Sequence, residues 1–155
     1  MKTLVAFHTK SGASRKYAEV IAATFIEKGF EVVLIDLKET IPDISNYELI
    51  IVGTGIRISR IYGKWKKILK HKDIGSKKLA IFLSSGTAVE KPEEAIEKWV
   101  NPLVEKCGLK PIAIGSFPGA FPDKFKDEKD KGKETLNPEI AKQWAEDLII
   151  KLRGE

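Results

Sequence analysis

A chain of 155 residues, 43% of them hydrophobic, is the size of one domain (1–155) with a single well-buried core. Its net charge of +5 is uneven: eight Lys/Arg and one Asp between Arg60 and Lys78 give a local +7 and leave about −2 elsewhere, which excludes the uniformly basic surface of a nucleic-acid binder. The one cysteine, Cys107, excludes an internal disulfide and points to a reducing, cytoplasmic setting; no apolar run reaches transmembrane length, and Leu4–Phe7 is too short for a signal peptide.

Taken in chain order, the first apolar run, Thr3–Phe7, reads as a strand. The loop Thr9-Lys10-Ser11-Gly12-Ala13-Ser14 follows, then a helix with Ala18, Ile21, Ala22 and Phe25 at i, i+3, i+4, i+7, stopped by Gly29. Glu31–Ile35 is the second strand, and the linker Asp36–Asn46 has no room for a long helix. Glu48–Val52 is the third strand, and Gly53-Thr54-Gly55-Ile56-Arg57-Ile58 reads as a glycine loop. A basic helix is expected over 60–72, with Ile61, Trp65, Ile68 and Leu69 on its apolar stripe and Lys64, Lys66, Lys67, Lys70 and Lys72 opposite. Leu79–Leu83 is the fourth strand, followed by Ser84-Ser85-Gly86-Thr87 as a loop. Pro92 opens a third helix, and Asn101-Pro102 either kinks it or caps a second short one. The fifth strand is Ile112–Gly115, where Pro111 suits an edge. Asp123–Glu134, with five acidic residues and five lysines, is too polar to pack and reads as a mobile loop. Asn137-Pro138-Glu139 caps a last helix carrying Ile140, Trp144, Leu148 and Leu152 on one face.

Most of the five runs lack polar alternation, as strands buried on both faces do. Strand alternating with helix predicts a parallel sheet with right-handed crossovers, a three-layer α/β sandwich in the order 2-1-3-4-5. Ligands in such sheets bind beyond the carboxyl ends of the strands where the order reverses, here between strands one and three. A helix N-terminus there carries unpaired N–H groups and a partial positive charge. Gly12 permits close approach, and Thr9, Ser11 and Ser14 bring hydroxyls, so the loop reads as a nest for a phosphate monoester with no metal. The plainer alternative is a strand-to-helix turn capped by one serine.

Thr9-Lys10-Ser11-Gly12-Ala13-Ser14 matches Thr/Ser-x-Thr/Ser-Gly-x-Thr/Ser at every constrained position, and so resembles the phosphate signature of the flavodoxin-like superfamily. Further stretches resemble its menaquinone-dependent protoporphyrinogen dehydrogenases and related flavodoxin-domain proteins: MKTLVAFHTKSGASRKYA, NYELIIVGTGIRISRIYGKW, KPE at 91–93 and GAFPDKF at 119–125. The resemblance implies a flavodoxin-like fold and FMN as cofactor, its phosphate on residues 9–14. It also implies that Thr54, Gly55, Ile56 and Arg57 run along one side of the isoalloxazine ring, with Arg57 near the phosphate or the N1–O2 edge. Ser84, Ser85, Gly86 and Thr87 would cover another edge, and Phe117, Phe121 and Tyr62 offer stacking or only packing.

Where the dehydrogenases carry a longer apolar and basic insertion after the fifth strand, this chain has KDEKDKGKE, which argues against membrane contact and quinone use. The expected function is an FMN-binding oxidoreductase or electron carrier, working with a redox partner protein or a small-molecule donor or acceptor. The alternatives are a protoporphyrinogen dehydrogenase-type enzyme of heme biosynthesis and a flavin-free module that binds partners through helix 60–72. No catalytic acid–base dyad or metal-ligand spacing is visible, and a receiver-type signalling domain is excluded because Phe7-His8 and Gly53-Thr54 stand where it needs carboxylates.

Overall fold

A computed structural model of the chain describes residues 1–8, 12–57, 60–61, 63–85, 91–119 and 136–154, with backbone alone at 56–57, 60–61 and 63–64. Strands β1 (Lys2–His8), β2 (Glu31–Asp36), β3 (Leu49–Arg57), β5 (Lys78–Ser85) and β6 (Ala113–Pro118) pair in parallel in the order β2-β1-β3-β5-β6. This is the expected 2-1-3-4-5 arrangement. Strand β4 (Arg60–Ile61) is an addition, pairing antiparallel with the tail of β3 at Ile56 and Arg57.

The side-chain period of two divides the apolar runs between two cores. Val5, Phe7, Ile51, Ala80, Phe82 and Phe117 face α1 (Ala13–Glu27) and α5 (Pro138–Arg153), meeting Tyr17, Ile21, Phe25, Leu148 and Ile149. Leu4, Ala6, Ile50, Val52, Leu79, Ile81 and Leu83 face α2 (Gly63–Leu69) and α4 (Asn101–Cys107), meeting Trp65, Ile68, Leu69 and Leu103. Central strands buried on both sides therefore show no polar alternation. Strand β2 is an edge and only partly covered, with Leu34 40% exposed.

Helix α1 ends in a Schellman motif. Gly29 has a φ of +90°, its N–H donates to the Ile26 carbonyl, and the Phe30 N–H donates to that of Phe25. The rings of Phe25 and Phe30 close the motif edge to face at 4.9 Å. The linker after β2 contains no helix; Leu37 and Ile44 anchor it in the core. Within it the backbone N–H of Ser45 donates to Asp43, which holds that exposed carboxylate below its ordinary pKa, helped by the Ser45 hydroxyl.

Three expectations are corrected. The basic helix does not reach from 60 to 72: residues 60 and 61 belong to β4, so Ile61 lies off the helix, which runs only from Gly63 to Leu69. The helix opened by Pro92 (α3, Pro92–Ala95) passes through a π turn, Ile96–Val100, into the second short helix that one alternative expected, α4, but Asn101 is the first residue of that helix and not its cap. Pro102 lacks an N–H and its ring crowds the carbonyl four residues back, and the wider turn accommodates both. At Asn137 the side chain makes no capping hydrogen bond to α5. The segment Asp123–Glu134 lies outside the described residues.

Gly53 shows why a glycine stands inside a central strand. A Cβ there would lie 2.0–2.4 Å from three atoms of the Phe82 ring. Gly53→Ala is expected to destabilise the fold by about 1–3 kcal/mol through overpacking. Gly29→Ala, whose Cβ meets no described atom within 4 Å, is expected to lose only about 1 kcal/mol of stability, through left-handed backbone strain at φ +90°. Urea denaturation midpoints of the two variants test the ranking.

Candidate functional site

The parallel register brings the carboxyl ends of the central strands together. His8 pairs with Thr54, Thr54 with Leu83, Gly55 with Ser84, and Ser85 with Pro118. Helix α1 starts above this edge at the point where the strand order reverses. Its N-cap is Gly12, with φ +89° and ψ −7°, the left-handed conformation that glycine adopts without penalty. The serine-capped alternative is thereby set aside. A glycine N-cap brings no side-chain oxygen to the first-turn amides, and no described atom lies within 4 Å of a Cβ placed there.

Ser14, in the first turn of α1, is fully buried, and its hydroxyl lies 2.9 Å from that of Ser84 at the end of β5. One hydroxyl donates to the other, so one hydrogen of the pair is left to point elsewhere. This bond joins the start of α1 to the end of β5 across β3. Thr54, also fully buried, has its hydroxyl 3.4 Å from the His8 carbonyl oxygen and 3.2 Å from that of Gly55. Ala13 is buried beside them. Arg15 adds a cation near the loop, 2.8 Å from the Asp36 carboxylate at the end of β2 and 5.0 Å from the centre of the Phe7 ring. Asp36 largely neutralises that charge locally.

The structure brings Gly12, Ala13, Ser14, Thr54, Gly55, Ser84 and Ser85 to one edge of the sheet. It does so with more strand than expected. Residues 53–57 continue β3 as a ladder, and Ser84 and Ser85 are the last residues of β5 rather than a loop. Ile56 and Arg57 are placed by their backbone, opposite Ile61 and Arg60. Thr9, Lys10, Ser11, Gly86, Thr87, Tyr62 and Phe121 lie outside the described residues. Phe117 is packed as core, 1% exposed, with its ring centroid 5.0 Å from Tyr17 and 5.8 Å from Trp144. It is not presented for stacking.

Tyr17 was not singled out by the sequence. Its hydroxyl donates to the Pro118 carbonyl at the end of β6 and accepts from the Asn137 N–H at 3.1 Å. One atom thus fixes the carboxyl end of β6 and the start of α5 against α1. Its i, i+4 spacing to Ile21 foretells burial, but nothing local foretells partners so distant in sequence. Among the described residues no group of three or more His, Cys, Asp or Glu would hold a metal ion.

The Ser14–Ser84 bond generates a test. Ser14→Ala leaves a buried Ser84 hydroxyl without this partner and is expected to destabilise the fold by about 1–3 kcal/mol, and Ser14→Ala/Ser84→Ala by less than the sum of the single changes. A double-mutant cycle by chemical denaturation checks this coupling.

With this geometry in place, comparison with known proteins gives a consistent result. A family model described as "Flavodoxin domain" matches residues 4–124. No curated protein sequence matches the chain. Among solved structures, oxidised flavodoxin 2 from Bacillus cereus superposes with a TM-score of 0.65 at 22% identity, covering 97% of this chain and 99% of its own. Oxidised flavodoxin 1 from the same organism gives 0.63 at 19% identity, covering 97% and 98%. The flavodoxin of Fusobacterium nucleatum bound to flavin mononucleotide gives 0.60 at 16% identity, covering 97% and 99%. At these identities the structures establish a shared fold, while the family model spans most of the sequence: this chain belongs to the flavodoxin domain family.

Proposed function

We propose that the chain binds FMN at the carboxyl edge of its sheet and works as an electron-transfer flavoprotein. The observation that carries this reading is the left-handed Gly12 opening α1 at the strand reversal, inside the segment matched by the flavodoxin domain. The residues fit the group. A glycine N-cap, with no described atom within 4 Å of a Cβ placed on it, and the positive end of a fifteen-residue helix favour a phosphate dianion. The F. nucleatum relative, which is FMN-bound, has the same fold.

On this reading Thr9, Lys10, Ser11, Gly12, Ala13 and Ser14 hold the phosphate by backbone amides and hydroxyls. Thr54, Gly55, Ile56 and Arg57 border one side of the ring system and Ser84, Ser85, Gly86 and Thr87 another, with Arg57 supplying positive charge. When bound, FMN supplies the electron-transfer chemistry; the protein binds, orients and sets the electrostatics. The buried Thr54 and the Ser14–Ser84 pair keep the edges of the site in register.

The finer kinship with menaquinone-dependent protoporphyrinogen dehydrogenases rests on the sequence stretches alone. The charged KDEKDKGKE after β6 favours a carrier over a quinone-using enzyme. No helix among the described residues is long and apolar enough to cross a membrane, and we place the protein in the cytoplasm on the strength of its single, half-buried Cys107.

Titration with FMN, riboflavin and FAD, followed by visible absorbance, tests the site. FMN is expected to bind tighter than riboflavin because its phosphate is read. Gly12→Val and Ser11→Asp are each expected to abolish FMN uptake while the far-ultraviolet circular dichroism keeps its native form. A colourless chain that ignores FMN would favour the flavin-free module instead.

A further inference from the structure

We propose that the lysine face of α2 and the turn after it docks an acidic redox protein in a short-lived complex governed by charge; this rests on the electron-transfer reading above. Trp65, Ile68 and Leu69 are buried against the sheet, at most 1% exposed. Helical spacing therefore turns Lys66, Lys67 and Lys70 away from it. Lys67, Lys70, Lys72 and Lys78 are exposed. Arg15 pairs with Asp36, Lys91 with Glu94, and the Lys77 ammonium donates to the Ser45 carbonyl. Among the described residues no carboxylate pairs with Lys66, Lys67, Lys70 or Lys72, and Asp73, the one acid between Arg60 and Lys78, faces His71 at 3.9 Å. The patch thus repels itself, and an anionic partner relieves that repulsion.

Its place in the fold connects it to the site. Helix α2 begins two residues after β4, which pairs with the tail of β3. A helix of seven residues is only about 10 Å long, so a partner seated on it lies close to the edge assigned to the flavin. The chemistry of the face favours a protein over other anions. A membrane-binding helix presents apolar residues to the bilayer, but the large apolar residues of α2 are all inside. Single-stranded nucleic acid is gripped by aromatic platforms and arginine, whereas the described polar side chains of α2 are lysines. Steering by charge with few apolar anchors suits the small interfaces of transient electron-transfer complexes.

The test uses the full chain, with and without FMN, and two probes of one fold: succinylated cytochrome c, which is acidic, and native cytochrome c, which is basic. The succinylated probe is expected to bind both forms of the chain and the native probe neither. Binding should weaken at least ~10-fold from about 0.01 M to about 0.1 M salt, as the screening length falls from about 30 to about 10 Å. Lys67→Glu/Lys70→Glu should lower affinity at least ~10-fold at low salt, and Lys28→Glu/Lys142→Glu, with the same change in net charge, less than ~3-fold. Lys67→Gln/Lys70→Gln, which keeps the fold free of new charge, should fall between. With the chain loaded with FMN, reduced by dithionite and freed of the excess, two ferric haems each take one electron to become ferrous as one reduced FMN returns to its oxidised form and its protons pass to water; the rate should follow the affinity. Equal weakening by both glutamate pairs, or salt-independent binding, would overturn the proposal. So would an α2 variant that keeps the protein probe but loses phosphatidylserine vesicles or duplex DNA. Because docking is read on the FMN-free chain as well, its outcome is separate from that of the flavin titration.

Discussion

The pairing of β3 with β1 on one side and β5 on the other is the constraint on which the rest of the molecule depends. Six register pairs with β1 and seven with β5 leave β3 no freedom to slide. A slip of one residue would exchange the two faces and put Ile50 and Val52 where Ile51 and Gly53 now sit. Phe82 locks that choice, because its ring lies where any side chain at 53 would be. Once the three strands are fixed they end together, and the start of α1 falls at their common edge. The candidate site is a consequence of this alignment, and the Ser14–Ser84 bond is the local sign of it.

The sequence was most informative where structure is set locally or by periodicity. Five apolar runs, the helix stop at Gly29 and the strand order follow from patterning and short-range chemistry, and the structure bears them out. It was least informative where distant segments decide. GTGIR looks like a loop because glycines break strands in isolation. In the folded chain β1 and β5 supply ladder partners for Gly53 and Thr54, β5 for Gly55, and β4 extends the pairing to Arg57. Phe117 looked like a candidate for stacking because it sits near glycines. Tyr17, Phe82 and Trp144 reach it from three other elements and make it core. The phosphate motif was legible as a string, but the left-handed Gly12 and the Ser14–Ser84 contact across β3 required the fold.

Charge and packing divide the molecule differently. Arg15 near the start of α1 is held by Asp36, and Arg153 at the end of α5 by the Lys28 carbonyl. Lys66 and Lys67 of α2 pair with no carboxylate among the described residues, although Trp65, Ile68 and Leu69 beneath them are buried. Rigid backing combined with loose charge makes for a surface that recognises at long range and contributes little to stability. The short length of α2 follows from the same arrangement, since β4 takes residues that a longer helix would have used.

The phenol of Tyr17 has a consequence for how this fold tolerates change. Pro118 and Asn137 meet at its one oxygen atom, so the chain departs from the sheet and comes back at a single point. The entropy lost in bringing two chain ends together grows only logarithmically with the length between them. A clasp of this kind therefore isolates the body of the domain from whatever is carried between residues 118 and 137. That interval can lengthen, shorten or change its chemistry while β6 and α5 keep their seats, which makes it a natural place for relatives on the same scaffold to diverge.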